Sequence, residues 1–203
     1  SGTVGGGFRF DMRAGGGLNG NEQPVIYLDG MRIANEEIGG TGSNQLTTGG
    51  QGLSSLLDFN PDDIQNIEIL KGPAAATSYG TNGSNGVVFI ETRKGTVSDG
   101  GPIFNYKQTN GINSPQFKVD KGFQNRDLFH SLLSDGAVID KYFSMSGGDY
   151  RFRHFLSFSS RNEEGMIIWK DKNYFDRKTV RANFDFLPLD NLSLSINTSY
   201  SSI

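Results

Sequence analysis

Cysteine is absent from the 203 residues, which excludes a disulfide framework, a thiolate nucleophile, a Cys-bound zinc and an iron–sulfur cluster. Histidine is nearly absent too. His130 and His154 are the whole supply of imidazole; they lie on segments of different character, neither with a second ligand nearby. No apolar run reaches the ~18–20 residues of a membrane-spanning helix. Hydrophobic residues amount to 35%, below the ~45–50% of a soluble domain, a figure that also counts glycine. Nineteen basic against 22 acidic residues leave a net charge of −3, so there is no basic footprint for nucleic acid.

Motifs that would carry chemistry fail on context. Gly15, Gly17 and Gly20 satisfy G-x-G-x-x-G, but Asn21, Glu22, Gln23, Pro24 and a strand follow where a dinucleotide site needs a helix. Asp58, Asn60 and Asp62 begin like a calcium loop. Asp63 then stands where the loop needs glycine, and Ile69 where it needs a bidentate Glu. Glu163 and Glu164 beside Gly165 read as a solvated hairpin turn rather than an acid/base pair. The expectation is no catalytic residue, no cofactor and no metal.

What the chain does have is 28 Gly, 15 Phe and 7 Tyr, a mixture that favours strands and tight turns. Val25, Ile26, Tyr27 and Leu28, then Asp29-Gly30, then Met31, Arg32 and Ile33 predict a hairpin. The segment GGTGSNQLTTGGQG offers little to bury and predicts a loop. Leu53, Leu56 and Leu57 recur at helical spacing, and Asn60-Pro61 stops that helix. Period two from Ile64 through Ile67 and Ile69 to Leu70 predicts a buried strand. Pro73 can open a short helix through Ala74, Ala75 and Ala76, and Val87, Val88, Phe89 and Ile90 form another strand.

Beyond Gly100 the pattern becomes amphipathic. Val180, Ala182, Phe184 and Phe186 alternate with Arg181, Asn183 and Asp185, and Leu192, Leu194, Ile196 and Tyr200 alternate with Ser193, Ser195, Asn197 and Ser199. Phe152, Leu156 and Phe158 share a face against Arg151, Arg153, Ser157 and Ser159; Phe155 breaks the rule and His154 sits on the apolar side. A partner strand over 142–147 turns at Gly148-Asp149. Such segments suit either a soluble sandwich or a transmembrane β-barrel with lipid on one side and a polar lumen on the other. Apart from Leu128, Phe129, Leu132 and Leu133, this half holds little else apolar to pack on the greasy faces, which favours the barrel. A closed barrel needs at least ~8 strands, whereas four or five are legible here. The opening SGTVGGGFRF has no initiator Met or signal-peptide sections, and LSLSINTSYSSI ends inside an alternating run, so a longer parent chain is expected.

Three stretches together resemble a known family. PVIYLDGMRI, with NPDDIQNIEILKGPAAATSYGTNGSNGVVFIETRKG, is similar to the plug domain of TonB-dependent outer-membrane receptors of the SusC/RagA type. Ile67-Glu68-Ile69-Leu70-Lys71-Gly72-Pro73 resembles the plug's IEVLKGP, Tyr79-Gly80 its YG, and Asn85-Gly86-Val87-Val88 its NGVV. Met12-Arg13-Ala14-Gly15 stands where the family has Ile-Arg-Gly, and Ala14 departs from that pattern. SMSGGDYRFRHFLSFSSRNEEGMI is similar to the first barrel hairpins.

The resemblance implies an α+β plug domain over 1–99, followed by antiparallel strands of a transmembrane β-barrel over 100–203, incomplete in this chain. It implies TonB-energised uptake of an oligosaccharide or peptide through the outer membrane of a Gram-negative bacterium, without catalysis. TonB, outer-membrane lipid and a SusD-like surface lipoprotein would be the partners. Ligand contact is expected on the plug loops, at Asn44, Gln45, Gln51, Thr81, Asn82 and Asn85, and Arg13 and Lys71 are expected to pair with barrel carboxylates. The rival reading is a non-transporting surface β-protein that acts as scaffold or accessory subunit.

Overall fold

A computed structural model describes residues 24–33, 59–71, 77, 86–98, 100–115, 131–170 and 173–203. Two compact units meet in sequence between Arg93 and Lys94. In the first, β1 (Val25–Leu28) and β2 (Met31–Ile33) form the predicted hairpin, which turns through Asp29 at φ 48° and Gly30 at φ 84°. Asp29 is held in the left-handed region by its side chain. Its carboxylate accepts from the backbone N–H of Thr92 at 2.8 Å and from the Thr92 hydroxyl at 2.7 Å. The turn is thereby tied to the end of β4 (Val87–Thr92), which runs parallel to β1.

β3 (Ile64–Leu70) pairs antiparallel with β4, completing the sheet order β2-β1-β4-β3. A 3-10 turn over Pro61–Asp63 feeds β3; the Asn60 side chain accepts from the Asp62 N–H at 2.9 Å, and Pro61 fills the first position, where no N–H is needed. Ile26, Leu28, Val88 and Ile90 pack on one side of the sheet, and Val25 and Val87 on the other. Both central strands are thus apolar on both faces. β3 corrects the expectation of a buried strand: Ile67 and Ile69 are both more than two-fifths exposed. It lies at the sheet edge with one neighbour, so the same alternating pattern is left open to solvent. Leu53, Leu56, Leu57 and the 74–76 segment lie outside the described residues.

The second unit is an antiparallel meander of β5 (Ile103–Asn113), β6 (Gly136–Gly148), β7 (Phe152–Glu164), β8 (Tyr174–Leu189) and β9 (Leu192–Ser202), each strand beside its sequence neighbours. Lengths of 11, 13, 13, 16 and 11 residues all reach the ~9–11 that cross a bilayer. Registers stack the side chains into rungs. Tyr106, Phe143, Phe158, Val180 and Tyr200 form one, and Phe104, Met145, Leu156, Ala182 and Thr198 the next. His154, Phe184 and Ile196 follow, then Phe152, Phe186 and Leu194. His154 therefore lies on the apolar face, as its position implied, with its ring stacked on Phe152 at 5.7 Å.

Burial in this unit is inverted. In the central strands β6, β7 and β8 the polar side chains of Ser144, Ser157, Ser159, Arg177, Thr179, Arg181, Asn183 and Asp185 are buried, while Phe143, Phe152, Phe158, Val180 and Phe186 lie open. Arg181 is 3% exposed and the residue before it in the strand, Val180, on the other parity, is 46% exposed. Water would not tolerate so extensive an apolar carpet, since the largest patch on a soluble monomer is ~300–600 Å². Phe155, which breaks the alternation, is a buried aromatic on the polar face, as is Tyr142.

The connections at the two ends differ. β6 reaches β7 through 149–151 and β8 reaches β9 through 190–191, whereas β5–β6 and β7–β8 are joined by 114–135 and 165–173. At the short end Gly148 takes φ +129°, and a Cβ there would collide with the backbone of Phe152 and Arg153. The Asp149 carboxylate closes the turn by accepting from the N–H groups of Arg151 and Phe152, both at 2.8 Å. Those two bonds, Phe152 foremost, hold its pKa below the ordinary aspartate value. A depressed native pKa stabilises the fold above the unfolded-state value, and that stabilisation is lost as pH falls through the native one. Asp149→Ala is therefore expected to melt below wild type at neutral pH. In thermal unfolding of the full-length protein in detergent, the gap should stay constant down to about pH 4 and close below it.

Candidate functional site

The rungs of the other parity build a polar wall on β6–β9. Ser144, Ser157, Arg181 and Ser199 form one rung; Tyr142, Ser159, Thr179 and Ser201 form the next. Period two forces this: each of these residues sits between two residues of the opposite, outward face. Asp185 is the fixed point at the short-turn end. Its Oδ2 lies 3.5 Å from Arg153 Nη2 across the β7–β8 pair, and its Oδ1 accepts from the Ser195 hydroxyl at 2.7 Å.

At the long-loop end Arg161 and Arg177 stand directly opposite one another. Like charges in that position repel, and each has a countermeasure. Arg161 binds the Glu163 carboxylate at 2.9 Å and approaches Asp140 at 3.9 Å. Arg177 lies over the Phe175 ring, 6.0 Å from its centroid. Glu163 also accepts from the Asn113 amide at 3.1 Å. Glu163 and Glu164 are therefore not a solvated turn. Glu163 is a largely covered acceptor on the polar wall, and Glu164 ends β7 by accepting from Lys170 at 2.8 Å and from the Ala137 N–H at 3.2 Å. Sequence spacing missed this because their partners lie on β5, on β6 and in the following loop.

The wall offers hydroxyls, amides and guanidinium groups, which suit hydroxyl-rich or peptide-like molecules rather than bond-making chemistry. Among the described residues no His, Asp or Glu group is arranged to hold a metal. Of the residues singled out by sequence, Lys71 is described: it is exposed and directly follows β3. Arg13, Asn44, Gln45, Gln51, Thr81, Asn82 and Asn85 lie outside the described residues, as does His130. Asp185→Ala would strip acceptors from Arg153 and Ser195, and is expected to lower stability by about 1–3 kcal/mol. Urea unfolding of the full-length protein in lipid vesicles, compared with Asp149→Ala as an exposed-turn reference, reads this directly.

Residues 1–87 match the family model of the TonB-dependent receptor plug domain. TonB-dependent receptor SusC of Bacteroides thetaiotaomicron is 29% identical over 98% of this chain, and TonB-dependent receptor P26 of Formosa agariphila 24% identical over all of it. The chain spans 21% of the length of each. Among solved structures, the RagAB peptide importer in its closed-closed state superposes with a TM-score of 0.70 at 20% identity, covering 93% of this chain and 25% of that one. The siderophore receptor PirA of Pseudomonas aeruginosa gives 0.54 at 20% identity, covering 90% of this chain and 26% of that one. These two likenesses establish a shared fold.

Proposed function

We propose that this chain, whose residues 1–87 match the TonB-dependent receptor plug domain and which is similar to SusC over nearly its whole length, is a plug followed by part of a barrel of the SusC/RagA type, and that it gates and begins the wall of a transporter that imports a nutrient through the outer membrane of a Gram-negative bacterium. The observation that carries this reading is the inverted sheet, apolar where it is open and polar where it is covered. In an outer-membrane barrel the apolar face meets lipid and the polar face lines the lumen. Short turns lie on the periplasmic side and longer loops outside, which puts 149–151 and 190–191 in the periplasm and 114–135 and 165–173 at the cell surface.

Charge placement agrees with that orientation. A lysine facing lipid costs about 2–4 kcal/mol at the bilayer midplane and about 0–1 kcal/mol near an interface. Lys141 and Lys178 occupy one outward rung, immediately beyond the Tyr106–Tyr200 rung and on the long-loop side. They therefore mark the outer edge of the hydrocarbon.

The cargo is a peptide or an oligosaccharide, whose amides and hydroxyls the polar wall and the plug residues Asn44, Gln45, Gln51, Thr81, Asn82 and Asn85 would bind. TonB supplies the pull on the plug, and a SusD-like lipoprotein caps the outer mouth. No reaction is catalysed. Arg13 and Lys71 pair the plug with barrel carboxylates that yield under modest force, since solvated ion pairs are individually weak.

The test is uptake of labelled peptides and of labelled oligosaccharides by cells carrying the full-length protein. Uptake of one class is expected to fall to background when TonB is deleted. Unchanged uptake, with the protein still in the outer membrane, would instead establish the accessory-scaffold reading. Lys71→Ala is expected to raise the leak of a large antibiotic through the barrel, measured as sensitivity to vancomycin; an unaltered leak removes Lys71 from the plug's anchorage.

A further inference from the structure

The outward face of the second unit changes character within one rung. Below lies Tyr106, Phe143, Phe158, Val180 and Tyr200; above lies Gln108, Lys141, Ser160, Lys178 and Ser202. The upper rung contains two cations and no acid. The Tyr106 hydroxyl donates to the Gln108 amide oxygen at 2.7 Å, the Gln108 amide donates to Asn110 at 3.1 Å, and the Ser160 hydroxyl donates to Asn162 at 3.3 Å. Polar groups on this face thus satisfy one another along the strands, starting at the aromatic rung.

The two lysines are provided for differently. Lys178 pairs with Asp176 two residues away on the same face, at 3.4 Å. Lys141 is exposed and has no ion pair among the described residues; the Asp140 carboxylate beside it belongs to the opposite face and approaches Arg161. Lys141 and Lys178 flank Ser160 on three consecutive strands, which puts their backbones about 10 Å apart. Both side chains are long enough to converge on one group above Ser160, with the hydroxyl and the amides of Gln108 and Asn162 beside them.

We propose that this rung is a binding site for the phosphate of an anionic, phosphorylated glycolipid of the outer leaflet, whose acyl chains lie along the Phe104, Phe143, Phe158 and Leu156 surface below. The proposal rests on the outer-membrane reading given above. Charge decides the occupant: a zwitterionic headgroup would leave the second lysine without a counter-charge, whereas a phosphate monoester carries enough negative charge to satisfy both. Asp176 then acts as a placeholder, holding Lys178 extended along the strand until the lipid phosphate replaces it.

The experiment uses the full-length receptor in detergent micelles, with bound lipid read by native mass spectrometry. The probes are bisphosphorylated lipid A and the same lipid after phosphatase treatment. The wild type is expected to hold the phosphorylated form about 30-fold more tightly than Lys141→Gln/Lys178→Gln does, each lysine near a charged surface accounting for roughly fivefold. Phosphatase treatment should abolish the difference, and Lys141→Arg/Lys178→Arg should bind as wild type. Equal binding by the glutamine variant, indifference to phosphatase, or loss of binding in the arginine variant would each overturn the site. A heat-modifiable band on gel electrophoresis of the same samples shows whether the barrel is intact. If the wild type gives no such band and does not fractionate with the outer membrane, the transporter reading itself fails and the lipid site falls with it.

Discussion

Register is the constraint on which the second unit depends. Side chains alternate with a period of two, so a slip of one residue in the β7–β8 pairing would turn Arg177, Arg181 and Asp185 outward and bring Val180 and Phe184 inward. In lipid such a slip would set several charges in hydrocarbon at once, each at a cost of kcal/mol. The long antiparallel ladders are therefore pinned by more than their hydrogen bonds. The Asp185 contacts to Arg153 and Ser195, the Glu163 contact to Asn113, and the aromatic rungs on the other face all hold only in the observed register.

The first unit solves a different problem with the same chemistry. A sheet that is apolar on both sides of β1 and β4 gives a rigid centre to a unit otherwise rich in glycine. Its turns are closed by side chains rather than by bulk: Asp29 on Thr92, and Asn60 on Asp62. Arg93 still donates to the Asp63 carbonyl of this unit, whereas Ser98 donates to the Gly148 carbonyl of the other. Gly95, just inside the second unit, lies against the backbone of Arg153 and His154 so closely that any Cβ would collide.

Much of this was legible in the residues. The 25–33 hairpin, the strands at 64–70 and 87–90 and the turn at Gly148-Asp149 follow from apolar period and turn chemistry, and the alternation puts His154 on the greasy face. β5 was not legible. In IFNYKQTNGIN the outward positions pass from Phe104 and Tyr106 to Gln108 and Asn110 before Ile112, so the apolar alternation is broken. The buried-strand expectation for β3 and the solvated-turn expectation for Glu163 failed for one reason: exposure depends on neighbours distant in sequence. The plug-loop contacts remain a reading of composition and resemblance.

By itself the sequence determined the two periods, the turn positions, the lack of thiol chemistry and the family likeness, because each is a property of neighbouring residues or of composition. The tertiary structure decided which face of each strand is covered, which carboxylate meets which guanidinium, and that Lys141 and Lys178 share one outward rung. Those outcomes depend on strand order and register, which bring together residues tens of positions apart, and no local pattern encodes them.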